Sequence, residues 1–311
     1  MGGSSLSRQK LAPTDANLRA CADALLAGEA VVMPTETVYG LAANALNRDA
    51  VLRVFRIKGR PADNPLIVHV LGIDEARDCV ATWPPEAQKL ATTFWPGPLT
   101  LVLPKAVKIP PEVTGGLFSV AVRVPRHKVA RALLAAAKVP LCAPSANRFM
   151  ALSPTTADDV YPEIGDQAFA VLDGGPCEVG IESTVFDVAS CAVLRPGVIT
   201  PAQLEAVLGH PLGAPTSVER LSPGQYPRHY APMTPLELVE ELGPEDAGIT
   251  FGAPQNLRQR QLPRDPTAFA QALYTVLNDL DRLAAPALRV ARPPSTKEWE
   301  AVWDRLRRAL G

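Results

Sequence analysis

The sequence predicts an α/β protein, with a large α/β domain built on a mixed, twisted sheet and a small α/β unit after it. Its 311 residues exceed one ordinary domain of roughly 100 to 200 residues. Strand and helix patterns alternate as far as residue 208, as in proteins whose helices cover a sheet. Strand patterns follow one another closely after Ala168, which favours a mixed sheet over a purely parallel one.

The individual elements follow from the period of the apolar residues. Thr14 or Asp15 is predicted to cap a first helix ending before Gly28, because apolar residues recur on one helical face from Leu18 to Leu26. Apolar runs predict strands at residues 30–33, 66–71, 99–103, 119–124, 168–172, 183–188 and 192–194. Helical periodicity predicts helices at residues 50–57, 73–80, 85–94, 126–137 and 201–208.

A segment without apolar periodicity divides the chain. Residues 209–234 are dense in Gly, Pro and Ser, which is typical of a linker. Beyond it, residues 236–242, strand patterns at 248–251 and 287–290, and helical patterns at 266–283 and 296–310 predict a second small domain. We therefore predict domains at 1–208 and 235–311, joined by a linker at 209–234.

Composition narrows the classes of partner. Lys and Arg number 31 and Asp and Glu 32, so the net charge of -1 does not support broad electrostatic capture of nucleic acid or an anionic membrane. No window reaches the ~18 uncharged apolar residues of a membrane span, and the first residues lack the apolar core of a signal peptide. Five widely spaced cysteines contain no C-x-x-C pair, unlike a disulfide framework or a zinc site. We expect a soluble, cytoplasmic protein.

A phosphate-binding site in this chain would have to use residues other than those of the standard nucleotide-binding motifs. The chain has neither a G-x-x-x-x-G-K-[ST] loop nor a G-x-G-x-x-G after a strand. The segment IKGRPADNP (residues 57–65) instead places Lys58 and Arg60 on one turn shaped by glycine and prolines, and a triphosphate needs several such donors. The alternative is that these cations only interact with the C-terminus of the preceding helix.

Two other loops concentrate polar groups after apolar runs. PTETVYGL (residues 34–41) contains Thr35, Glu36, Thr37 and Tyr39, where a ligand crevice can form, although Thr35 could equally cap a helix. CAPSAN (residues 142–147) offers Ser145 and Asn147, or an ordinary Ser/Asn turn.

Two polar residues lie within predicted strands. His69 in an apolar strand is more often a satisfied core group than a catalyst, whereas Arg123 in SVAVRVP requires an anion or a carboxylate partner. Ser145 has no G-x-S-x-G elbow and the four histidines are scattered, which argues against acyl-enzyme hydrolysis.

Taken in order, five strings resemble one family. PTETVYGLAANA, KGRPADNPLIVHV, SVAVRVPRH, APSAN and GIESTVFDV look like the YrdC-like domain of L-threonylcarbamoyl-AMP synthases. HYAP at 229–232 resembles the H-Y-x-P interdomain loop of the long form, and residues 235–311 resemble its small Rossmann-like C-terminal domain. The resemblance implies a nucleotidyltransferase that makes threonylcarbamoyl-adenylate and pyrophosphate from L-threonine, bicarbonate and ATP, toward threonylcarbamoyladenosine in tRNA.

The resemblance also implies the roles of individual residues. L-threonine should contact Thr37, His69, Arg123, the backbone of Ala143, and Ser183. ATP should contact Lys58, Arg60, Asn64, Ser119, Ser145, Asn147, Ser153, Arg195 and Tyr230, with Lys58 and Arg60 as the catalytic phosphate-binding pair. Mg²⁺ is expected to be held mainly by the ATP phosphates, with no protein metal ligand. The linker around His229 and Tyr230 is expected to close over the nucleotide, and the partners are downstream tRNA threonylcarbamoyl-transfer proteins.

Two alternatives accompany this interpretation. An RNA-binding module would use the same cluster of Lys58, Arg60, Arg123 and Arg195, although the net charge allows only a weak RNA contact. The carbamoyl-adenylate chemistry of hydrogenase-maturation proteins is related, but those proteins carry C-x-x-C motifs that this chain lacks.

Overall fold

Two sheets organise the molecule, as seen in a computed structural model that describes residues 9–214 and 228–310. Within those residues the larger sheet is mixed and has ten strands, in the order β1-β8-β2-β3-β7-β4-β6-β5-β9-β10. Its strands are β1 (Gln9–Leu11), β2 (Val31–Met33), β3 (Gly40–Asn44), β4 (Ile67–His69), β5 (Leu99–Pro104), β6 (Ser119–Arg123), β7 (Leu141–Cys142), β8 (Ala170–Leu172), β9 (Thr184–Asp187) and β10 (Ala192–Arg195). The predicted mixed α/β class is confirmed.

The smaller sheet is parallel in all of its described pairings and has the order β11-β14-β12-β13. Its strands are β11 (Leu236–Val239), β12 (Ala247–Thr250), β13 (Gln259–Gln261) and β14 (Leu288–Ala291). This sheet and its helices form the small C-terminal unit expected from the sequence. The domain limits at 208 and 235 stay a prediction, and residues 215–227 of the predicted linker lie outside the described residues.

Helices cover both sheets. They are α1 (Asp15–Leu26), α2 (Arg48–Lys58), α3 (Ile73–Cys79), α4 (Pro85–Phe94), α5 (Pro111–Thr114), α6 (Lys128–Ala137), α7 (Ala157–Val160), α8 (Pro201–Leu208), α9 (Pro266–Asp281) and α10 (Glu300–Leu310). A π-helical turn (Tyr161–Gly165) follows α7 and a 3-10 turn (Lys297–Trp299) precedes α10. Thr14 caps α1, since its side chain accepts a hydrogen bond from the Asn17 amide.

The core of the large domain lies on both faces of its sheet. Leu25 of α1 and Leu133 of α6 pack on one face together with Val31 of β2. Phe55 of α2 and Leu90 of α4 belong to the larger cluster on the other face. Strands covered on both sides are nearly continuous apolar runs, which is why β2, β4, β5 and β6 were predicted from the sequence, whereas the central strands β3 and β7 were not.

One segment differs from its expected alternatives. Residues 40–44 form β3, antiparallel to β2 with Val31 opposite Ala42, rather than a helix that begins after Thr35. The small residues Gly40, Ala42 and Ala43 fit a central position between β2 and β7. The short edge strands β1 and β13 were not predicted, because three polar-rich residues carry almost no periodic signal.

Candidate active site

The sheet edge brings the polar loops of the sequence together. His69 and Arg123 end the parallel strands β4 and β6 and are opposite each other in the register, while Ala143 follows β7 and Ser183 precedes β9. A cavity opens at this edge. Of the fourteen site residues predicted, nine line it: Thr37, Arg60, His69, Arg123, Ala143, Ser145, Ser183, Arg195 and Tyr230.

Arg123 is held in place by three protein acceptors. Its Nη2 donates to Glu36 Oε1 at 2.6 Å, its Nη1 to Thr37 Oγ1 at 2.9 Å and its Nε to the Gly97 carbonyl at 3.2 Å. Arg123 and Glu36 are both buried, so the carboxylate partner that a buried arginine requires is Glu36. The second oxygen of Glu36 accepts from the Arg126 amide at 3.0 Å, which ties PTETVYGL to the start of α6.

Glu36 is a site residue that the sequence reasoning quoted but did not assign. Burial alone would raise the pKa of its carboxyl, but the charge and hydrogen bond of Arg123 outweigh burial and lower the pKa. Glu36 is therefore ionised and neutralises Arg123. The available signal was the arginine itself, because its partner had to come from a carboxylate in another polar string.

Thr35 and Thr37 have different roles. The Thr35 hydroxyl accepts from the amides of Thr37 and Val38 at 3.2 Å each, so it closes a turn and no helix follows. Thr37 lines the cavity and accepts from Arg123. The alternative predicted that the Thr35 hydroxyl bonds to the backbone at the start of a helix. The backbone hydrogen bond is present, but a strand follows instead of a helix.

His69 lies beside Arg123 at the end of β4. Burial lowers the pKa of its imidazole to about 3, and the positive charge of Arg123 acts in the same direction. The ring is therefore neutral, and within the described residues its Nδ1 has no hydrogen-bond partner. A neutral imidazole against the cavity can position a substrate polar group.

Lys58 joins two of the predicted motifs. Its Nζ donates to the carbonyls of Ser145 and Asn147 at 2.6 and 2.5 Å, so the KGR turn is fixed to APSAN. Gly59 ends α2 in the left-handed conformation with φ of 61°, which directs the chain from Lys58 toward Arg60. Burial, and then the charge of Arg60, lower the pKa of Lys58 well below its usual value. Lys58 does not itself line the cavity, whereas Arg60 does.

Several buried polar atoms near these motifs lack a protein partner in the part of the chain that is described. They are both amide atoms of Asn64, Ser119 Oγ, Asn147 Oδ1 and His229 Nδ1. Unsatisfied buried polar atoms are rare and call for an explanation such as a ligand or a water. Asn64, Ser119 and Asn147 are outside the cavity lining, yet each belongs to a string assigned to ATP.

The far side of the cavity is built around Ser183. Its hydroxyl is 2.8 Å from Thr100 Oγ1 and accepts from Arg195 Nη2 at 3.1 Å, and Arg195 Nε donates to its carbonyl at 3.1 Å. Ser153 does not reach the cavity, because its hydroxyl donates to Glu182 Oε1 at 2.5 Å. Glu182, which lines the cavity, is a second carboxylate that the sequence reasoning did not assign.

His229 and Tyr230 complete the cavity from the C-terminal side of the predicted linker. Both are buried and line it, and the two rings meet edge to face with centroids 4.0 Å apart. Burial, and then the nearby positive charges of Arg60 and Lys58, lower the pKa of His229 well below its usual value. Tyr230 thus lies in the cavity lining, and its contact with a nucleotide stays a prediction.

The charges around the cavity favour an anion. Arg60, Arg123 and Arg195 line it. Glu182, which also lines it, is paired with Arg305, and Glu36, which lies behind the lining, is paired with Arg123. Among residues 9–214 and 228–310, no group of three His, Cys, Asp or Glu residues has a metal-binding arrangement.

Fold and site together define a large α/β domain whose cavity, lined by arginines and hydroxyl groups, suits anionic ligands. A small parallel α/β domain packs against it. A family model described as "Telomere recombination" (Sua5, YciO and YrdC) matches residues 23–197. A second, described as "Threonylcarbamoyl-AMP synthase, C-terminal domain", matches residues 199–311. The chain belongs to the two-domain threonylcarbamoyl-AMP synthase family.

Individual relatives agree with this membership. Proteins named threonylcarbamoyl-AMP synthase from Pyrococcus abyssi and Bacillus subtilis are each 44% identical, over 74% of this chain and 69% of their own lengths. The crystal structure of P. abyssi Sua5 complexed with L-threonine has a TM-score of 0.89 at 34% identity, covering 96% of this chain and 95% of that chain. Within the described residues, no helix is long and apolar enough to cross a membrane.

Proposed function

We propose that this protein is an L-threonylcarbamoyl-AMP synthase, a nucleotidyltransferase that converts L-threonine, bicarbonate and ATP into threonylcarbamoyl-adenylate, pyrophosphate and water. The observation that carries the proposal is one cavity lined by Thr37, His69, Arg123 and Ser183 together with Arg60 and Arg195. The first four residues support a position for a small amino acid, and the two other arginines support a position for phosphates. Family membership and the threonine complex of the P. abyssi relative support the same substrate.

The threonine end is assigned to Thr37, His69, Arg123, Ala143 and Ser183. Arg123 presents a guanidinium already held by Glu36, so its orientation is fixed before substrate arrives. A substrate carboxylate would add to this arrangement without displacing the internal pair. The Ala143 amide donates to the Ile67 carbonyl at 3.0 Å, so its backbone position is also fixed.

The nucleotide end is assigned to Lys58, Arg60, Asn64, Ser119, Ser145, Asn147, Ser153, Arg195 and Tyr230. Arg60 lines the cavity, which supports a direct contact with phosphates, whereas Lys58 holds the loop that carries Ser145 and Asn147. Ser153 contributes through Glu182. Mg²⁺ would enter with ATP, held mainly by phosphate oxygens and water, in keeping with its reluctance to lose water.

The reaction needs orientation and charge neutralisation more than a protein nucleophile. The threonine amine attacks the carbon of bicarbonate and water leaves, which gives a carbamate. A carbamate oxygen then attacks the α-phosphorus of ATP and pyrophosphate leaves. Arg60 and Arg195 are placed to stabilise the charge that develops on the phosphates. The product would pass to tRNA threonylcarbamoyl-transfer proteins, and a cytoplasmic location remains a prediction.

One assay tests the function. Pyrophosphate release from ATP is measured with threonine, bicarbonate or both omitted, and the adenylate is identified by mass spectrometry. We expect release only when both are present. Pyrophosphate release that does not depend on threonine would overturn the proposal. Steeply salt-dependent RNA binding that ignores free threonine, without any pyrophosphate release, would favour the RNA-binding alternative.

A further inference from the structure

The small domain contacts the wall of the active site through one arginine, which supports the lining residue Glu182 from behind. Arg305 of α10 is only 1% exposed, and its Nε donates to Glu182 Oε2 at 2.9 Å. Its Nη2 donates to the Glu182 carbonyl at 3.2 Å and its Nη1 to the Pro196 carbonyl at 2.8 Å. A single side chain of the C-terminal unit therefore fixes the GIEST segment and the residue that follows Arg195.

Glu182 is held from both domains. Its Oε1 accepts from Ser153 of the large domain at 2.5 Å, and its Oε2 also accepts from the hydroxyl of Tyr274 on α9 at 3.2 Å. Burial would raise the pKa of this carboxyl, but the positive charges of Arg305 and Arg195 outweigh it and lower the pKa. The carboxylate is thus ionised, hydrogen-bonded on both oxygens and adjacent to Ser183 in the cavity wall.

The same guanidinium supports the C-terminal side of the linker. The Arg305 guanidinium carbon lies 5.3 Å from the ring centroid of Tyr230, which packs against Tyr274 at 5.8 Å. Backbone contacts act alongside, since the His229 amide donates to the Arg308 carbonyl at 2.9 Å. Ser153, Tyr230 and the residue next to Arg195, all on the nucleotide side, therefore meet at this interdomain cluster of Glu182, Tyr274 and Arg305.

We infer that Arg305, acting through Glu182 and Tyr230, is a positioning residue by which the small domain shapes the nucleotide end of the active site. The inference rests on the proposed function for its substrate. Stability alone is a weak reason for such a pair, because a buried ion pair often contributes little compared with apolar residues of similar size. Three contacts of Arg305, to the Glu182 carboxylate, the Glu182 carbonyl and the Pro196 carbonyl, instead fix the directions of groups that line or flank the cavity.

The experiment uses four full-length variants. Arg305→Met removes the guanidinium, Arg305→Lys keeps its charge without the fork, and Glu182→Gln with Arg305→Met removes both charges so that no buried ion is left unpaired. Arg289→Met is the matched control, because Arg289 of the same domain pairs with Glu237 and Asp246 away from the cavity. Thermal unfolding reports folding, titration calorimetry with a nonhydrolysable ATP analogue reports binding, and pyrophosphate release gives KM and kcat.

We expect the folded double variant to lose about 100-fold in kcat/KM for ATP, the scale of a misplacement by about 1 Å, with weaker analogue binding and a smaller change for threonine. Arg305→Lys should recover part of that loss, and Arg289→Met should match the wild type. If Arg305→Met does not fold, the double variant decides.

Wild-type analogue affinity and kcat/KM in the folded double variant would overturn the inference. So would equal rises in the KM values for ATP and threonine, since these would indicate only a general structural role. If the wild-type protein makes no adenylate, the proposed function fails, whereas the comparison of analogue binding still tests Arg305.

Discussion

The cations that look equivalent in the sequence have three different environments. Lys58 is hydrogen-bonded to two carbonyls, Arg123 is paired with Glu36, and Arg60 lines the cavity while its Nη2 donates to the Pro65 carbonyl at 3.0 Å. From charge and spacing alone, the sequence predicts that all three contact the same substrates. Which of them contacts a substrate is decided by the acceptors that the fold supplies.

Arg60 is expected to be the most sensitive of the phosphate-binding candidates. Arg60→Ala should lower adenylate synthesis by at least ~100-fold, the scale of losing one charge-stabilising donor in a preorganised site. Pyrophosphate release under saturating threonine measures it. Arg56→Ala, on the exposed side of α2 just before the turn that carries Arg60, is the control and should stay near the wild type. A folded Arg60→Ala protein with full activity would remove Arg60 from the site.

Arg123 is expected to govern threonine more than ATP. Arg123→Lys keeps the charge but cannot hold Glu36, Thr37 and the Gly97 carbonyl together, so the threonine KM should rise by about tenfold or more while the ATP KM changes little. Arg131→Lys on α6, whose guanidinium bonds the Leu71 carbonyl, serves as control. An equal effect on both substrates would assign Arg123 to the nucleotide or to the fold.

His69 should make stability depend on pH. Its folded pKa of about 3 lies below the unfolded value of about 6.5, so the unfolded state binds the proton more tightly. The contribution is complete above about pH 6.5 and declines as pH falls, by about 1.4 kcal/mol per unit. Urea unfolding from pH 7 to 5 should show a shallower decline in His69→Gln, with exposed His210→Gln as control. Identical slopes in His69→Gln and the wild type would contradict the assignment.

At the scale of elements, short loops are fixed by their neighbours across the sheet. The Leu41 amide donates to the Pro144 carbonyl and the Ala146 amide to the Tyr39 carbonyl, each at 2.8 Å, so PTETVYGL and APSAN support each other. The GIEST segment is fixed in a comparable way against α9. A Cβ on Gly180, whose φ is +77°, would lie 2.3 Å from the Gln271 carbonyl oxygen.

Gly180→Ala should therefore destabilise the protein and disturb the site. The positive φ costs about 1 kcal/mol and the close approach about 1–3 kcal/mol more. Gly175→Ala is the matched control, because its φ of +80° is similar but nothing lies within 4 Å of the new methyl group. Denaturant unfolding of both variants separates the cost of the positive φ from the cost of the close approach. Equal losses would show that the approach of α9 to Gly180 is not tight.

At the scale of the whole molecule, the small domain packs against the loops that form the site. Besides the cluster around Arg305, Thr155 Oγ1 lies 2.7 Å from Thr275 Oγ1, and Arg282 of the small domain pairs with Asp159 at 3.0 Å. The Ala231 amide donates to the Met150 carbonyl at 3.0 Å, so the end of the linker contacts the large domain. These contacts give the C-terminal domain a direct connection to the loops of the site.

The expected closure of the linker over ATP remains a prediction, since residues 215–227 of that segment lie outside the described residues. Arg228 is exposed beside buried His229 and Tyr230, so trypsin should cleave there when the site is empty and more slowly with ATP and threonine bound. The two fragments can be followed by mass spectrometry. Equal cleavage rates with and without ligands, together with synthesis by the cut enzyme, would make the segment a tether only.

The sequence by itself determined the fold class, the family and the strings that form the site. Buried strands and amphipathic helices are recorded in local periodicity, and five strings in order are specific enough to indicate a family. The sequence also required that Arg123 have a carboxylate partner, because an unpaired charge in an apolar strand is costly.

Only the tertiary structure decided how the site residues share their contacts. It supplied Glu36 as the partner of Arg123, made β3 from a segment that could have begun a helix, and placed Arg305 against Glu182, more than a hundred positions away. Hydrogen bonds and ion pairs between distant segments depend on sheet register and domain packing. Because neither is recorded in local spacing, the support of the site by the small domain became visible only in the folded chain.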